Sequence, residues 1–187
     1  MPVATIGDHS IGQSSAINMY FANEFGLMGS NHVEASQILA INEHLKEMDV
    51  SYKTLVPWAT KPQPGALDTW FDGGAQDIAG TAEHDGMRKR YLTWWLGRIE
   101  PTLNTNGFAV GNKISLADVL LYVNLADSLS DEQSAPNLPT WRRELFCDQK
   151  RTAAAVQKHP RILASCNTVA SHPNIQKWLS VRGVQSF

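Results

Sequence analysis

A polar pair at the start of a helical pattern is the first candidate for chemistry in this sequence. Gln13 and Ser14 precede Ala16, Ile17 and further apolar residues that recur at helical spacing. We predict that Ser14 caps this helix. The first turn of a helix offers N–H groups without intrahelical partners and a partial positive charge, which favour a carboxylate or a phosphate. The alternative is that Ser14 does no more than cap its own helix.

The elements that would position this pair lie directly around it. Residues 3–6 are an apolar run, Gly7-Asp8 is a turn signal, and residues 9–12 resemble a short return strand. Gly26 stands where a helix commonly ends in a left-handed glycine. The pattern predicts a strand–turn–strand–helix unit. Because a domain rarely begins with Met-Pro and then a core strand, we expect an upstream segment to be missing from these 187 residues.

Two motifs resemble the cytosolic glutathione transferases, especially the sigma-like classes. The first comprises Met1-Pro2-Val3, Gln13-Ser14, Ala16-Ile17, Tyr20, Ala22 and Phe25-Gly26-Leu27. The second is residues 107–118, GFAVGNKISLAD, which are similar to the FxVGxxxSxAD segment of the family's helical domain. The chain is identified as a member of this superfamily over nearly its whole length.

The resemblance implies a mainly α fold in two parts. Residues 1–28 would be a partial thioredoxin-like strand–strand–helix unit that binds glutathione. Residues 32–187 would be the all-helical C-terminal domain. Residues 131–158 look like an insertion relative to compact members of the family.

The resemblance also implies half of a glutathione site. Met1 would pair its backbone with the cysteinyl part of glutathione before a cis bond to Pro2, and Gln13 and Ser14 would hold the γ-glutamyl group. Glu43 matches the acid that reaches glutathione across the dimer interface, with Asn42 as the competing position. The alternative for Glu43 is a plain surface acid.

The catalytic part of the family's site has no counterpart in this chain. The Tyr, Ser or Cys that stabilises the glutathione thiolate lies in the family's first strand or helix, so no catalytic residue is assigned. Tyr52, Trp58 and the tail near Phe187 are expected to line the pocket for the electrophile. Glutathione is expected as a substrate, and no metal is expected.

Two functions therefore remain open. In the first, the chain is an incomplete record of a dimeric transferase that conjugates glutathione to small electrophiles, a detoxification reaction. In the second, it is a non-catalytic structural or interaction subunit of a larger assembly. The exposed edge of a two-stranded sheet favours incompleteness or assembly over a free monomer.

Composition and charge limit the class of protein, the partners and the compartment that this chain can have. Apolar residues form 43% of the chain and charged residues 18%, which is typical of a folded globular protein. A net charge of −2 gives no reason to expect nucleic acid or an anionic membrane surface. No apolar run reaches the length of a membrane span. Cys147 and Cys166 lack the spacing of a metal site, which favours free thiols in the cytoplasm or another reducing compartment. A targeting segment upstream of residue 1 is compatible with this interpretation.

Apolar periodicity and breakers predict the helices of the second part. We expect helices at 33–53, 87–103, 140–158, 161–170 and 174–181, and a loop over about residues 56–66. Ser115 and Asp118 have the spacing of a capping box, so Asp118 is interpreted as structural. Trp94-Trp95 is interpreted as core packing rather than a cofactor site. The basic pairs at 142–143 and 150–151 are interpreted as a solvated face.

Overall fold

The computed structural model describes residues 2–58, 60–73, 90–127 and 139–182, and over these the chain is mainly helical. The strands are β1 (Val3–Ile6) and β2 (His9–Gly12). The helices are α1 (Ser14–Glu24), α2 (His32–Leu55), α3 (Pro64–Asp72), α4 (Leu92–Ile99), α5 (Leu116–Leu125), α6 (Thr140–Arg143), α7 (Gln149–Val156), α8 (Pro160–Ala170) and α9 (Pro173–Val181). Short 3₁₀ helices follow α4 at Glu100–Thr102 and α6 at Leu145–Cys147.

The N-terminal unit is a β-hairpin followed by α1. The strands are antiparallel, with Val3 opposite Gly12. Gly7 has a φ of +56° and so supplies the left-handed conformation that the tight turn needs. Gly26, at φ +67°, ends α1 as predicted: its N–H donates to the Asn23 carbonyl, and the Leu27 N–H donates to the Ala22 carbonyl at 2.7 Å.

The helical part is built around α5. Both α2 and α8 pack against α5. The 24-residue α2 begins at Asn31, whose side chain accepts the N–H groups of Val33 and Glu34 at 3.0 Å. The core contains large, fully buried side chains from several helices, among them Ile38, Met48, Trp70, Trp95, Leu121 and Ile162. The division of the chain at residues 28 and 32 stays a prediction.

The predicted capping box at the start of α5 is confirmed. The Ser115 N–H donates to Asp118 Oδ2 at 2.8 Å, and the Ser115 hydroxyl donates to the same oxygen at 2.7 Å. Asp118 is fully buried, and its Oδ1 also accepts the Ala109 N–H at 2.6 Å and the Ser165 hydroxyl at 2.7 Å. The acid therefore connects the start of α5 to the preceding loop and to α8.

The prediction of one helix over residues 140–158 is wrong. The chain leaves α6 at Glu144, and Phe146 and Cys147 have φ values of +49° and +58° before α7 begins. This turn places the Phe146 ring 5.0 Å from that of Tyr52 and 5.1 Å from that of Trp70. Aromatic burial across the fold thus outweighs the local preference for a continuous helix.

Three smaller expectations also change. The helix predicted for residues 87–103 begins at Leu92; residues 87–89 lie outside the described part of the chain. Trp95 is buried as predicted, whereas Trp94 is only partly buried against the core. On α9, the helical spacing of Ile175, Trp178 and Leu179 predicts that Trp178 faces inward, but 49% of it is exposed. Periodicity locates an apolar face, but only the neighbouring helices decide whether that face is covered.

Candidate functional site

The hairpin brings Pro2 next to the start of α1. Because Val3 pairs with Gly12, residue 2 lies opposite residue 13 just beyond the last rung of the ladder. Pro2, Gln13 and Ser14 are all exposed. The structure therefore gathers three of the residues predicted to bind glutathione. The fourth, Met1, and with it the predicted cis bond, lie outside the described residues.

The backbone at the start of α1 differs from the expected cap. Gln13, and not Ser14, is the residue that precedes the helix, and its φ and ψ are +71° and 125°. Ser14 is the first helical residue, so the prediction that it is the N-cap is wrong. A positive φ at a residue other than glycine costs of order 1–3 kcal/mol and is typically retained at functional sites. The sequence carries no signal for this conformation.

The geometry at this point suits an anion. The first bond of α1 runs from the Ile17 N–H to the Gln13 carbonyl at 3.0 Å, so the N–H groups of residues 14–16 have no partner within the helix. No acidic residue occupies the first turn of α1. The dipole of the 11-residue helix adds partial positive charge at the same place. A carboxylate of a ligand can accept these N–H groups.

Glu43 lies on α2 and is engaged with its own helix. Its two carboxylate oxygens each accept a hydrogen bond from Lys46 Nζ at 3.0 Å, and one of them also accepts a hydrogen bond from the Asn42 side-chain amide at 3.2 Å. The Glu43 side chain is 58% exposed, whereas Asn42 is buried. An exposed acid is free to face a second subunit, and Asn42 is not. The assignment of Glu43 to glutathione stays a prediction.

Tyr52 belongs to a closed aromatic cluster with Trp70 and Phe146. Only 9% of Tyr52 is exposed, and the three ring centroids lie 5.0–5.1 Å from one another. Burial raises the pKa of the Tyr52 hydroxyl well above its usual value, and the neighbouring Cys147 thiol raises it further. In this arrangement Tyr52 is a core residue, so lining a substrate pocket would require the turn at Phe146 to move.

Trp58, the other predicted pocket residue, is on the surface. It is 75% exposed, in the loop after α2. Lys53 Nζ lies 6.0 Å from the centroid of its ring, and the Arg142 guanidinium lies 5.7 Å from it. Two cations therefore surround an exposed indole, an arrangement that stabilises both through cation–π attraction. Phe187, in the predicted tail, lies outside the described residues.

A cavity that sequence reasoning missed lies beside Arg142. Its volume is about 280 Å³, and it is lined by the end of α5, by α6 and the turn that follows it, and by α9. Its lining combines three arginines, two acids and three apolar side chains: Arg142, Arg143, Arg182, Asp127, Glu144, Val123, Leu145 and Trp178. The residues at 142–145 were expected on a continuous solvated helix. Asp148, whose side chain accepts the Arg151 N–H at 2.9 Å, is the local signal that a new helix begins there.

Two general findings concern ligands and membranes. Among the described residues, no three His, Cys, Asp or Glu side chains gather in a way that could hold a metal ion. Across the same residues, no helix has the length and apolar character needed to cross a bilayer. Both cysteines are free thiols.

Comparison with known proteins gives consistent results. A family model described as "Glutathione S-transferase, C-terminal domain" matches residues 74–182. "Probable glutathione S-transferase 6" of Caenorhabditis elegans is 26% identical over 184 residues, covering 97% of this chain and 73% of that protein. "S-crystallin 2" of Octopus vulgaris is 23% identical over 188 residues, covering 100% of this chain and 77% of that protein.

Solved structures agree on the fold. A Nu-class glutathione transferase from Haemonchus contortus superposes with a TM-score of 0.64 at 19% identity, covering 100% of this chain and 76% of that one. A Pi-class enzyme from Onchocerca volvulus gives the same TM-score at 21% identity, covering 97% and 70%. With the matched family model spanning more than half of its length, this chain belongs to the glutathione S-transferase family.

Proposed function

We propose that this protein binds glutathione at the start of α1. In a form that also carries the family's catalytic strand and helix, it would conjugate the glutathione thiolate to small electrophiles. The observation that carries the proposal is the left-handed backbone of Gln13. Gln13 directly precedes the first turn of α1, whose N–H groups at residues 14–16 have no partner within the helix, and residue 2 lies opposite it in the register of the hairpin. The chain also belongs to the glutathione transferase family.

The ligand has the chemistry that this site favours. Glutathione carries an α-carboxylate on its γ-glutamyl residue, and a carboxylate is a good acceptor for the N–H groups of residues 14–16. The exposed Ser14 hydroxyl supplies a further donor within reach of the same carboxylate. Met1 would add a backbone contact to the cysteinyl part. The thiolate, and not the thiol, is the nucleophile in such a transfer.

A homodimer would complete this half-site. The amino group of glutathione is a cation, and in our proposal the exposed Glu43 of a second subunit binds it. Trp58 and its two flanking cations would lie on the side that receives the electrophile. We place the protein in the cytoplasm or another reducing compartment, since both thiols are free.

A second candidate function is a non-catalytic structural or interaction subunit. It is supported by the similarity to "S-crystallin 2" of Octopus vulgaris, a relative whose name denotes a crystallin and not a transferase. In this case glutathione would bind weakly or not at all.

Calorimetric titration of the 187-residue chain with glutathione tests the proposal. We expect saturable binding that the Ser14→Ala variant weakens at least about tenfold, because a hydrogen bond to a charged group contributes about 1.5–3 kcal/mol. Ser10→Ala is the matched control, since Ser10 is also exposed and lies in β2 of the same hairpin. Equal affinities for wild type and Ser14→Ala would contradict the proposed site.

A conjugation assay distinguishes the two candidate functions. With a generic aromatic electrophile such as 1-chloro-2,4-dinitrobenzene, we expect no rate above background from these 187 residues. The same residues joined to a family strand–helix–strand–helix segment with a catalytic Tyr should turn over. Binding without turnover in the extended protein would favour the non-catalytic subunit.

A further inference from the structure

One side chain, Glu34, holds the linker between the N-terminal unit and the helical part. The linker comprises residues 25–31, between α1 and α2. Glu34 lies half-buried in the first turn of α2, and its Oε2 accepts the Ser30 N–H at 2.6 Å. An acid at this position of a capping box would accept the N–H of the N-cap residue itself, which is Asn31. Glu34 reaches one residue further, so it binds the linker and does more than cap its own helix.

Two glycines in the left-handed conformation make room for this carboxylate. Gly29 in the linker has a φ of +77°, and Gly111 in the loop before α5 has a φ of +68°. A Cβ atom at Gly29 would lie 2.6 Å from Glu34 Cβ, and one at Gly111 would lie 3.1 Å from Glu34 Oε2. Glu34 is therefore packed between the linker and that loop, in a space that a side chain at either glycine would narrow.

The loop on the other side of this carboxylate is fixed to α5. The Gly111 carbonyl accepts the side-chain amides of Asn104 and Asn106, each at 2.9 Å. The Ala109 N–H donates to the buried carboxylate of Asp118 on α5 at 2.6 Å. Glu34 therefore packs the linker against a loop whose position is set by the helical part.

The orientation of α1 depends on contacts near its linker end. Within the described part of the chain, Ala22 is the one residue of this 11-residue helix that is fully buried. The Leu116 N–H at the start of α5 donates to the Leu27 carbonyl of the linker at 2.9 Å. The candidate site at Ser14 lies at the opposite end of the helix, about 16 Å away at about 1.5 Å per residue. A rotation of about 10° at the linker would displace it by about 3 Å, the length of a hydrogen bond.

We propose that Glu34 is a positioning residue that fixes α1, and with it the ligand site at Ser14, on the helical part. Its carboxylate holds Ser30 close to Gly111, so the linker cannot pivot as a free hinge. Without this contact α1 would take up a range of orientations, and only a fraction of the molecules would present the site correctly. Apparent affinity falls by that fraction. The effect on affinity rests on the proposed binding of glutathione, whereas the fixing of α1 does not.

Hydrogen exchange of the 187-residue chain without ligand tests the positioning of α1. In Glu34→Ala we expect the amides of α1 to exchange at least about tenfold faster, because a hydrogen bond to a charged acceptor no longer closes the linker. Exchange within α8, which packs on α5, should stay at the wild-type rate. Glu34→Gln should restore the wild-type rate in α1, because its amide oxygen can still accept the Ser30 N–H. Glu47→Ala is the matched control, since Glu47 is an exposed acid on the same helix.

Two results would overturn the proposal. One is an unchanged exchange rate in α1 of Glu34→Ala. The other is an equal increase in α1 and α8, which indicates a general loss of stability. Glu34→Asp keeps the charge at the first turn of α2 but withdraws the carboxylate from Ser30, and it should increase exchange of α1 in the same direction. This variant decides the question if Glu34→Ala fails to fold.

Calorimetric titration with glutathione tests the consequence for the ligand site. We expect Glu34→Ala to weaken binding at least about threefold and Glu34→Gln to restore it. Arg151→Ala is the control for stability alone, because Arg151 pairs with acids on α3, and it should keep the wild-type affinity. Wild-type affinity in Glu34→Ala would refute the link to the site. If the wild-type chain binds no glutathione, the proposed function fails, and the exchange rates still decide the role of Glu34.

Discussion

Replacing Asp118 by alanine is the sharpest test of how the helical part is held together. Its carboxylate is fully buried and accepts four hydrogen bonds, two from Ser115, one from the Ala109 N–H and one from the Ser165 hydroxyl. These partners lie in the loop before α5, at the first turn of α5 and on α8. The substitution therefore loosens three segments at once.

The size of the effect follows from the donors left behind. The two hydroxyls can rotate toward other acceptors, but the N–H groups of Ala109 and Ser115 are fixed by the backbone. Each buried N–H group without an acceptor costs about 1–3 kcal/mol. We expect Asp118→Ala to lower the free energy of unfolding by about 3 kcal/mol. That is a large share of the roughly 5–15 kcal/mol that stabilises a typical domain.

Urea unfolding followed by far-UV circular dichroism measures this loss. At about 2–4 °C per kcal/mol for a chain of this size, the melting temperature should fall by roughly 6–12 °C. Asp49→Ala is the control. Asp49 is a half-exposed acid whose ion pair, within the described part of the chain, is with Lys53 on α2, and such pairs contribute about 0.3–0.5 kcal/mol. A loss below about 1 kcal/mol for Asp118→Ala, with an unchanged urea slope, would refute the reasoning.

Two further predictions concern the ion pairs of Arg151 and the reactivity of the two cysteines. Arg151 donates to Asp68 at 2.9 Å and to Asp72 at 2.7 Å. Arg151→Ala should therefore lower the free energy of unfolding by about 1 kcal/mol in low salt, the value for partly exposed pairs, and by less in 1 M salt. A variant as stable as wild type in low salt would contradict the assigned ion pairs. Burial raises the pKa of Cys166 to about 12, helped by the Asp118 carboxylate, and burial also raises the pKa of Cys147. A raised pKa means that less of the thiol is present as reactive thiolate at a given pH. A disulfide reagent at pH 7.5 should therefore leave Cys166 unmodified and label Cys147 slowly, at a rate that increases with pH. Rapid labelling of both thiols in the folded protein would disprove the burial argument.

The features that the sequence predicted depend on residues close together in the chain. The Ser115–Asp118 box needs only a spacing of three residues, and Gly26 ends α1 through bonds to residues three and five positions earlier. The apolar periodicity that predicted residues 33–53 is confirmed by α2. The spacing of residues along the chain predicts these interactions directly, because the backbone geometry of a helix fixes which residues come into contact.

For the candidate site, the sequence could suggest which residues belong to it but not their backbone conformation or exposure. The family motif predicted Pro2, Gln13 and Ser14 as ligand residues, and the register of the hairpin brings these positions close together; their role in binding stays a prediction. The left-handed backbone at Gln13 was not predicted, since glutamine has no preference for that conformation. Nor was the exposure of Trp58, which depends on how far the loop after α2 lies from the core.

By itself, the sequence determined the family, the mainly helical architecture, the capping box of α5 and the glycine that ends α1. Tertiary structure alone decided where the chain breaks at Phe146, which arginines meet at the cavity, and how Arg151 finds two acids on α3. The physical reason is separation along the chain. Phe146 packs on rings at positions 52 and 70, and no pattern within one helix records a partner that folding brings from so far away.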